Sequence, residues 1–203
     1  MTENDTKILP ILEWPHPILR KLASKVVDFD ERLEQDIAKM WATMYAAPGI
    51  GLAAPQVGDS RQIFVMDCGP REEKARRLVC INPKLTKQNG HVDSVEGCLS
   101  FPGLSVEVPR FESLTLIAQD IKGKKFELRL SGLEAICAQH EYDHLRGKSF
   151  LDLLGPLEKV ACFQSYIEQL EKHRSPHLLE TLELAQRVLT EFLHEALQGE
   201  RRG

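Results

Sequence analysis

His140 and His144 stand four residues apart in Q-H-E-Y-D-H, with Glu141 directly after the first. On a helix of 3.6 residues per turn that spacing stacks the two imidazoles on one face, where both can bind a single cation. Glu141 is rotated by about 100° from His140, which suits a carboxylate that reaches a water on the ion without ligating it. Together these are the parts of metal-assisted hydrolysis. The same pattern also arises by chance as a polar patch on a helix, so the surrounding residues must decide. A second pair, His173 and His177, repeats the spacing, but Pro176 between them breaks the helix that would align it.

The stretch that must position the first pair is S-G-L-E-A-I-C-A-Q-H-E-Y-D-H-L-R-G, residues 131–147. Ser131 followed by Glu134 has the form of a capping box, which predicts the helix start, and Gly147 predicts its stop. Leu133, Ile136, Cys137, His140 and His144 recur at intervals of three and four, so they share one stripe of a buried helix. A catalytic tetrahedral site needs a third protein ligand. The extended motif that would supply a third His is closed, because Phe150 stands at its position. Glu168 and Glu171, in a later amphipathic segment, remain candidates. So do the cysteines at 68, 80, 98, 137 and 162, an odd number without C-x-x-C spacing that predicts free thiols rather than a disulfide framework. Each can serve as a thiolate ligand or as a small buried apolar residue.

At 203 residues the chain suits one domain with an appendage, and 42% hydrophobic and 28% charged residues are ordinary for a globular protein. A net charge of −4 gives no electrostatic signal for nucleic acid. No apolar run is long enough to span a membrane, and the start M-T-E-N-D-T-K lacks the core of a signal peptide, so the expected location is cytoplasmic.

Ahead of the helix, the proline-rich residues 8–20 should run extended over the core surface, with His16 structural. Asp28 with Glu31 resembles a helix start, and Leu33, Ile37, Met40, Trp41 and Met44 predict an amphipathic helix ending before Pro48. Gly49, Gly51 and Ala54 formally fit a dinucleotide fingerprint, but a helix precedes them and Pro55 disfavours a helix after them. What survives is close backbone approach at the glycines and an amide at Gln56. R-Q-I-F-V-M-D and R-L-V-C-I-N-P read as strands, the second closed by Pro83, around the charged run 71–77. Q-N-G-H, 88–91, suggests a tight hairpin. E-S-L-T-L-I-A-Q-D and K-F-E-L-R-L read as hairpin arms, with Phe126, Leu128 and Leu130 inward. Leu157, Val160, Ala161, Gln164, Ile167 and Leu170 predict one later helix. Leu178, Leu182, Ala185, Leu189, Phe192 and Ala196 predict a second, which packs back on the domain or pairs with another chain.

G-I-G-L-A-A-P-Q at 49–56, E-G-C-L-S at 96–100 and Q-H-E-Y-D-H at 139–144 resemble, in order, the three signature motifs of the peptide deformylases. The likeness covers about residues 8–165, departing from the family pattern at Val95 and His16. It implies an α+β fold, with antiparallel β-sheets surrounding a central metal-binding helix and C-terminal helices. A catalytic domain would span 1–165 and a C-terminal helical extension 166–203. It makes Cys98 the third ligand beside His140 and His144, Glu141 the general base, and the Gln56 amide and Leu99 backbone N–H the oxyanion donors. The implied reaction removes the N-formyl group from formylmethionyl peptides and nascent chains, near the ribosome, releasing formate. The peptide would add as a strand against Ile50, Gly51 and Gly97, with Ile50, Leu133, Ile136 and Cys137 around the methionine side chain. Thiolate and imidazole donors suit Zn or Fe(II). The resemblance favours Fe(2+), with Zn(2+), Ni(2+) or Co(2+) as substitutes, and the C-terminal helices offer a route to an oligomer. Two other classes stay open: a zinc endopeptidase using Glu168 or Glu171, and a non-catalytic metal or nascent-chain binding protein.

Overall fold

The alternation in residues 113–131 folds as the sequence predicts. Strands β6 (Ser113–Gln119) and β7 (Lys125–Ser131) pair antiparallel in this computed structural model, closed by a turn at Gly123, whose φ is +76°. The structure describes residues 7–69, 76–173 and 178–200. The remaining strands are β1 (Gly51–Ala53), β2 (Ile63–Met66), β3 (Leu78–Asn89), β4 (Val92–Cys98) and β5 (Phe101–Arg110). The helices are α1 (Glu31–Ala46), α2 (Gly132–Leu145), α3 (Pro156–His173) and α4 (Leu178–Glu200). One five-stranded antiparallel sheet has the order β1-β2-β3-β6-β7, and β4 and β5 form a separate two-stranded sheet. This is the expected α+β architecture.

Period-two alternation explains how the large sheet holds a helix on each face. In I-F-V-M of β2, Ile63 and Val65 join Leu33, Ile37, Met40 and Met44 of α1 in one core cluster. Phe64 and Met66 point the other way and pack with Ala135, Ala138 and Leu145 of α2. A third cluster joins Phe101, Val106 and Val108 of β5 to Trp14, Phe150 and the inner faces of α3 and α4. Helix α4 thus packs back on its own chain.

Several local expectations are corrected. The α1 cap is Asp30, not Asp28: its Oδ1 accepts the Leu33 N–H at 2.9 Å. Strand β3 does not stop at Pro83 but runs to Asn89, because an irregularity between Ile81 and Lys84 absorbs the missing N–H. The turn at Gly90 is not a hairpin; β3 pairs with β6 and β4 with β5, so it carries the chain from one sheet to the other. The N-terminal segment is more than a surface strap, since Trp14 and Leu19 are buried. Helix α3 buries Val160, Phe163, Tyr166 and Leu170 rather than Leu157, Ala161 and Gln164, which are exposed. Most of the charged run 71–77, and His177 of the second pair, lie outside the described residues. Among the described residues no helix is long and apolar enough to cross a membrane.

Candidate metal centre

Helix α2 is set by its two ends. Ser131 occupies the N-cap position but makes no side-chain capping bond, and Glu134 pairs instead with Arg76 at 3.3 Å, so the predicted capping box does not form. Its first residue is held by the Gly132 N–H, which donates to the Glu112 carbonyl at 3.0 Å. At the other end Gly147 adopts φ +67°, and a Cβ there would lie 2.7 Å from the Arg20 carbonyl carbon, so only glycine fits the stop.

One turn apart on this helix, the His140 and His144 rings sit 5.0 Å between centroids at 74° to each other. Cys98, at the end of β4 beside a bulge, brings its Sγ to 3.3 Å from His144 Nε2. Ligand atoms of Cys98, His140 and His144 all lie within 4.8 Å of one another. Bonds of about 2.0–2.3 Å to one tetrahedral centre set neighbouring donors roughly 3.3–3.6 Å apart, which is the spacing of Cys98 Sγ and His144 Nε2.

Electrostatics point the same way. His140 Nδ1 lies 2.8 Å from Glu96 Oε2, which fixes the ring and leaves Nε2 for an ion. Burial disfavours the His140 proton, but Cys98, Glu96 and Glu141 around it raise its pKa well above the ordinary value. That is the mark of a place that wants positive charge. Burial instead holds His144 neutral, far below its usual range. The buried side-chain polar atoms without a partner, among the described residues, are His144 Nδ1 and Glu141 Oε2. Burial pushes the Glu141 carboxyl up to about 7, the range of a group that exchanges protons near neutrality.

Glu96 is itself braced. Arg110 donates to both of its oxygens, at 2.7 and 3.0 Å, and to Asp143 at 2.7 Å. Burial opposes ionisation of Glu96, but hydrogen bonds from His140 and Arg110 and the Arg110 charge outweigh it, holding the carboxyl below its ordinary range. The sequence reading did not single out the Glu96, Arg110 and Asp143 network. Alternation along β4 was the available signal, because Glu96 and Cys98 lie two apart on one face.

Gln56 is buried in a 3₁₀ turn with its amide orientation fixed. Its Oε1 accepts the Ala53 N–H at 2.8 Å, so Nε2 points towards Ser100 Oγ at 3.3 Å and Cys98 Sγ at 3.7 Å. Leu99 occupies the turn between β4 and β5. A cavity of about 520 Å³ opens over the cluster. Gly51, Gln56, Gly97 and Leu99 line it, with Cys98, His140 and Glu141 at its base. Ile50, Leu133, Ile136 and Cys137 also line it, but Ile50 and Leu133 are rim residues, 41% and 53% exposed, not core. Of the stripe predicted as buried on α2, Cys137 and His144 are buried, Ile136 and His140 are half-buried and Leu133 is exposed. Gly51 makes the close approach expected of it, since a Cβ there would collide with Glu141 Oε1 and lie 2.8 Å from Cys137 Sγ.

Glu168 and Glu171 are exposed on α3 and join no ligand cluster. Phe150 is buried, with its ring 6.1 Å from His140. His16 accepts the Ile18 N–H at 3.3 Å in the N-terminal segment, a structural role. Val95 projects outward from β4.

A family model described as polypeptide deformylase matches residues 8–160. Peptide deformylase 2 of Nitrosomonas europaea is 44% identical over 152 residues, 75% of this chain and 81% of that one. A crystal structure of a peptide deformylase from Legionella pneumophila superposes with a TM-score of 0.76 at 40% identity, over 84% of this chain and 99% of the other. Arabidopsis thaliana peptide deformylase 1B, in complex with an inhibitor, gives 0.74 at 40% identity over 82% and 92%.

Proposed function

The chain belongs to the polypeptide deformylase family, and from that premise we propose that it hydrolyses the N-formyl group of formylmethionyl polypeptides, releasing formate. One observation carries the reading: Cys98 from the small sheet converges with His140 and His144 from α2, beside a buried Glu141 with a partnerless oxygen. The same residues fit the metal ion that the family implies.

Cys98, His140 and His144 would hold the divalent ion, which would supply Lewis acidity and so lower the pKa of a water at the site from 15.7 towards about 7. Glu141 takes the proton released as water attacks the formyl carbon, and returns it to the departing amine. Its raised pKa suits both directions of transfer. Gln56 Nε2 and the Leu99 N–H donate to the oxygen that becomes anionic. The Ala53 N–H keeps the Gln56 amide turned for that task. Arg110 and Glu96 hold His140 in one tautomer and orientation.

Strand β1 lies at the edge of the large sheet, and among the described residues β4 pairs only with β5. A substrate peptide adds as a strand against Ile50 and Gly51 on one side and Gly97 on the other. Its methionine side chain enters between Ile50, Leu133, Ile136 and Cys137. Fe(2+) is the favoured ion, with Zn(2+), Ni(2+) or Co(2+) suited to the same donors. We place the enzyme in the cytoplasm, where its five free thiols stay reduced and where formylated ends emerge from the ribosome.

Anaerobic purification, metal analysis and formate release from formyl-Met peptides test the assignment in wild type, Cys98→Ala and Glu141→Ala. Deformylation by wild type is expected. Cys98→Ala should lose metal and activity, whereas Glu141→Ala should keep metal and lose turnover. Full activity in either variant refutes the mechanism, and cleavage of internal peptide bonds would point to an endopeptidase instead.

A further inference from the structure

Tyr166 brings α3 into contact with the motif that carries Cys98. It is fully buried, and its hydroxyl donates to the Trp14 carbonyl at 2.8 Å, with the Ser100 carbonyl next at 3.5 Å. A buried tyrosine needs a partner for its O–H, and any carbonyl would serve that need. These two carbonyls, however, belong to a clasp around the proposed oxyanion donors. The Leu12 N–H donates to the Gln56 carbonyl at 2.7 Å, and the Trp14 N–H donates to the Ser100 carbonyl at 2.8 Å. Two residues of chain reach at most about 7 Å, so residues 12–14 tie the Gln56 turn to the residue that follows Leu99.

We propose, on the deformylase reading, that Tyr166 is a positioning residue for the oxyanion donors: by holding the Trp14 and Ser100 carbonyls it fixes the separation of the Gln56 amide from the Leu99 N–H. Such donors act at about 2.7–3.1 Å from the developing charge, so their backbones must be held to within about 0.5 Å. The Ala53 N–H sets the direction of the Gln56 amide but not its distance from Leu99. That distance is set through residues 12–14, which bond to the carbonyls of both Gln56 and Ser100 and lie in neither sheet.

A segment outside any ladder needs an anchor of its own. Packing of the Trp14 ring against Phe101 and Phe163 holds its side chain, and the Tyr166 hydroxyl holds its peptide group. Tyr166 lies outside residues 8–160, the stretch that the family model matches, so α3 reaches the site through a residue that the three signature motifs do not include.

Tyr166→Phe keeps the ring and removes only the hydroxyl. With metal-loaded protein and formyl-Met peptides, assayed well below every Tm, kcat should fall about tenfold while KM stays within about twofold, because the loss is confined to the transition state. Metal content should not change. In a Gln56→Ala background one of the two donors is already gone, so the same substitution should cost about threefold or less. Leu170→Ala, one turn further along α3 and buried in the same core, should lower Tm at least as much while leaving kcat within about twofold. Unchanged kcat in Tyr166→Phe overturns the proposal, as does an equal factor in both backgrounds or an equal loss of kcat in Leu170→Ala, since each makes the contact one of stability alone. Absence of formate from the wild-type protein is a separate result, which overturns the deformylase reading beneath it.

Discussion

Replacing Gly51 by alanine tests whether the close contact of β1 with the Glu141 carboxylate, the proposed general base, is what positions it. An added Cβ would overlap Glu141 Oε1 and stand 2.8 Å from both Cys137 Sγ and Glu141 Cδ. Neither neighbour can give way cheaply, because Cys137 and Glu141 are both buried on α2, which is packed against the large sheet. To restore ordinary contact the carboxylate must shift by about 1 Å, and a misplacement of that size in a reacting group can cost ~10²-fold in rate. Overpacking adds about 1–3 kcal/mol of lost stability. The proposed ligands Cys98, His140 and His144 are other residues, so metal content should stay near that of wild type. Formate release, metal analysis and thermal unfolding on one preparation separate these effects: kcat down about a hundredfold, metal retained, a moderate fall in Tm. Gly49→Ala is the matched control, since its Cβ would press on the flexible tip of Leu99, at 2.9 Å, and should cost less. Wild-type kcat in Gly51→Ala would refute the claim that this glycine sets the position of Glu141.

The other expectations concern single groups. Gln56→Ala should lower kcat by about 10²–10³-fold, the usual loss of one oxyanion donor, and unchanged turnover would remove Gln56 from the mechanism. Glu96→Ala should weaken metal binding by about 10–100-fold and lower Tm, since it leaves the buried Arg110 without its bidentate partner; competitive chelation reads the first and calorimetry the second. Glu141→Gln should stabilise the metal-free protein in alkaline solution. With the carboxyl raised from 4.5 to about 7 in the folded chain, the native state binds the extra proton. Stability then falls as pH rises from about 4.5 to 7, by ~3 kcal/mol in all. Urea unfolding of both proteins between pH 5 and 8 checks this, and parallel curves would contradict it.

Elements whose signals were local were legible in the chain. The β6–β7 hairpin shows clear alternation, α1 has a single apolar stripe, and the His140–His144 pair needs only helical spacing. Misreadings arose where a distant partner overrode the local pattern. Ser131 is paired with Ser113 across β6 and β7, and Arg76 draws off Glu134, so the capping box gives way to longer-range bonds. Helix α3 carries aliphatic residues on more than one side, and its inner face is settled by its largest rings: Phe163 meets Trp14 edge-on and Tyr166 lies tilted against Phe101 in the third core cluster. Periodicity alone counts Leu157 and Ala161 as equals of those rings. Pro83 ends a strand only where its N–H would be needed, and the irregularity beside it removes that need.

The centre illustrates why one helix can carry ligand, base and core contacts at once. Ala135 and Ala138 are small, so α2 approaches the large sheet closely and buries a narrow side there. Glu141 and Cys137 then reach Gly51 on β1, where the absence of a side chain makes room for the carboxylate. His140 and His144 lie on the side of the helix away from Ala135 and Ala138, towards the end of β4, which among the described residues shares no ladder with the large sheet. Cys98 therefore meets His140 and His144 only when two separate sheets close on the same helix. Arg110 fastens that closure: rooted at the end of β5, it grips Glu96 on β4 and Asp143 on α2 together. A charge network so deeply buried adds little net stability beyond its desolvation cost. What the contacts do show is that one guanidinium ties the strand that ends at Cys98 to the helix that carries the two imidazoles.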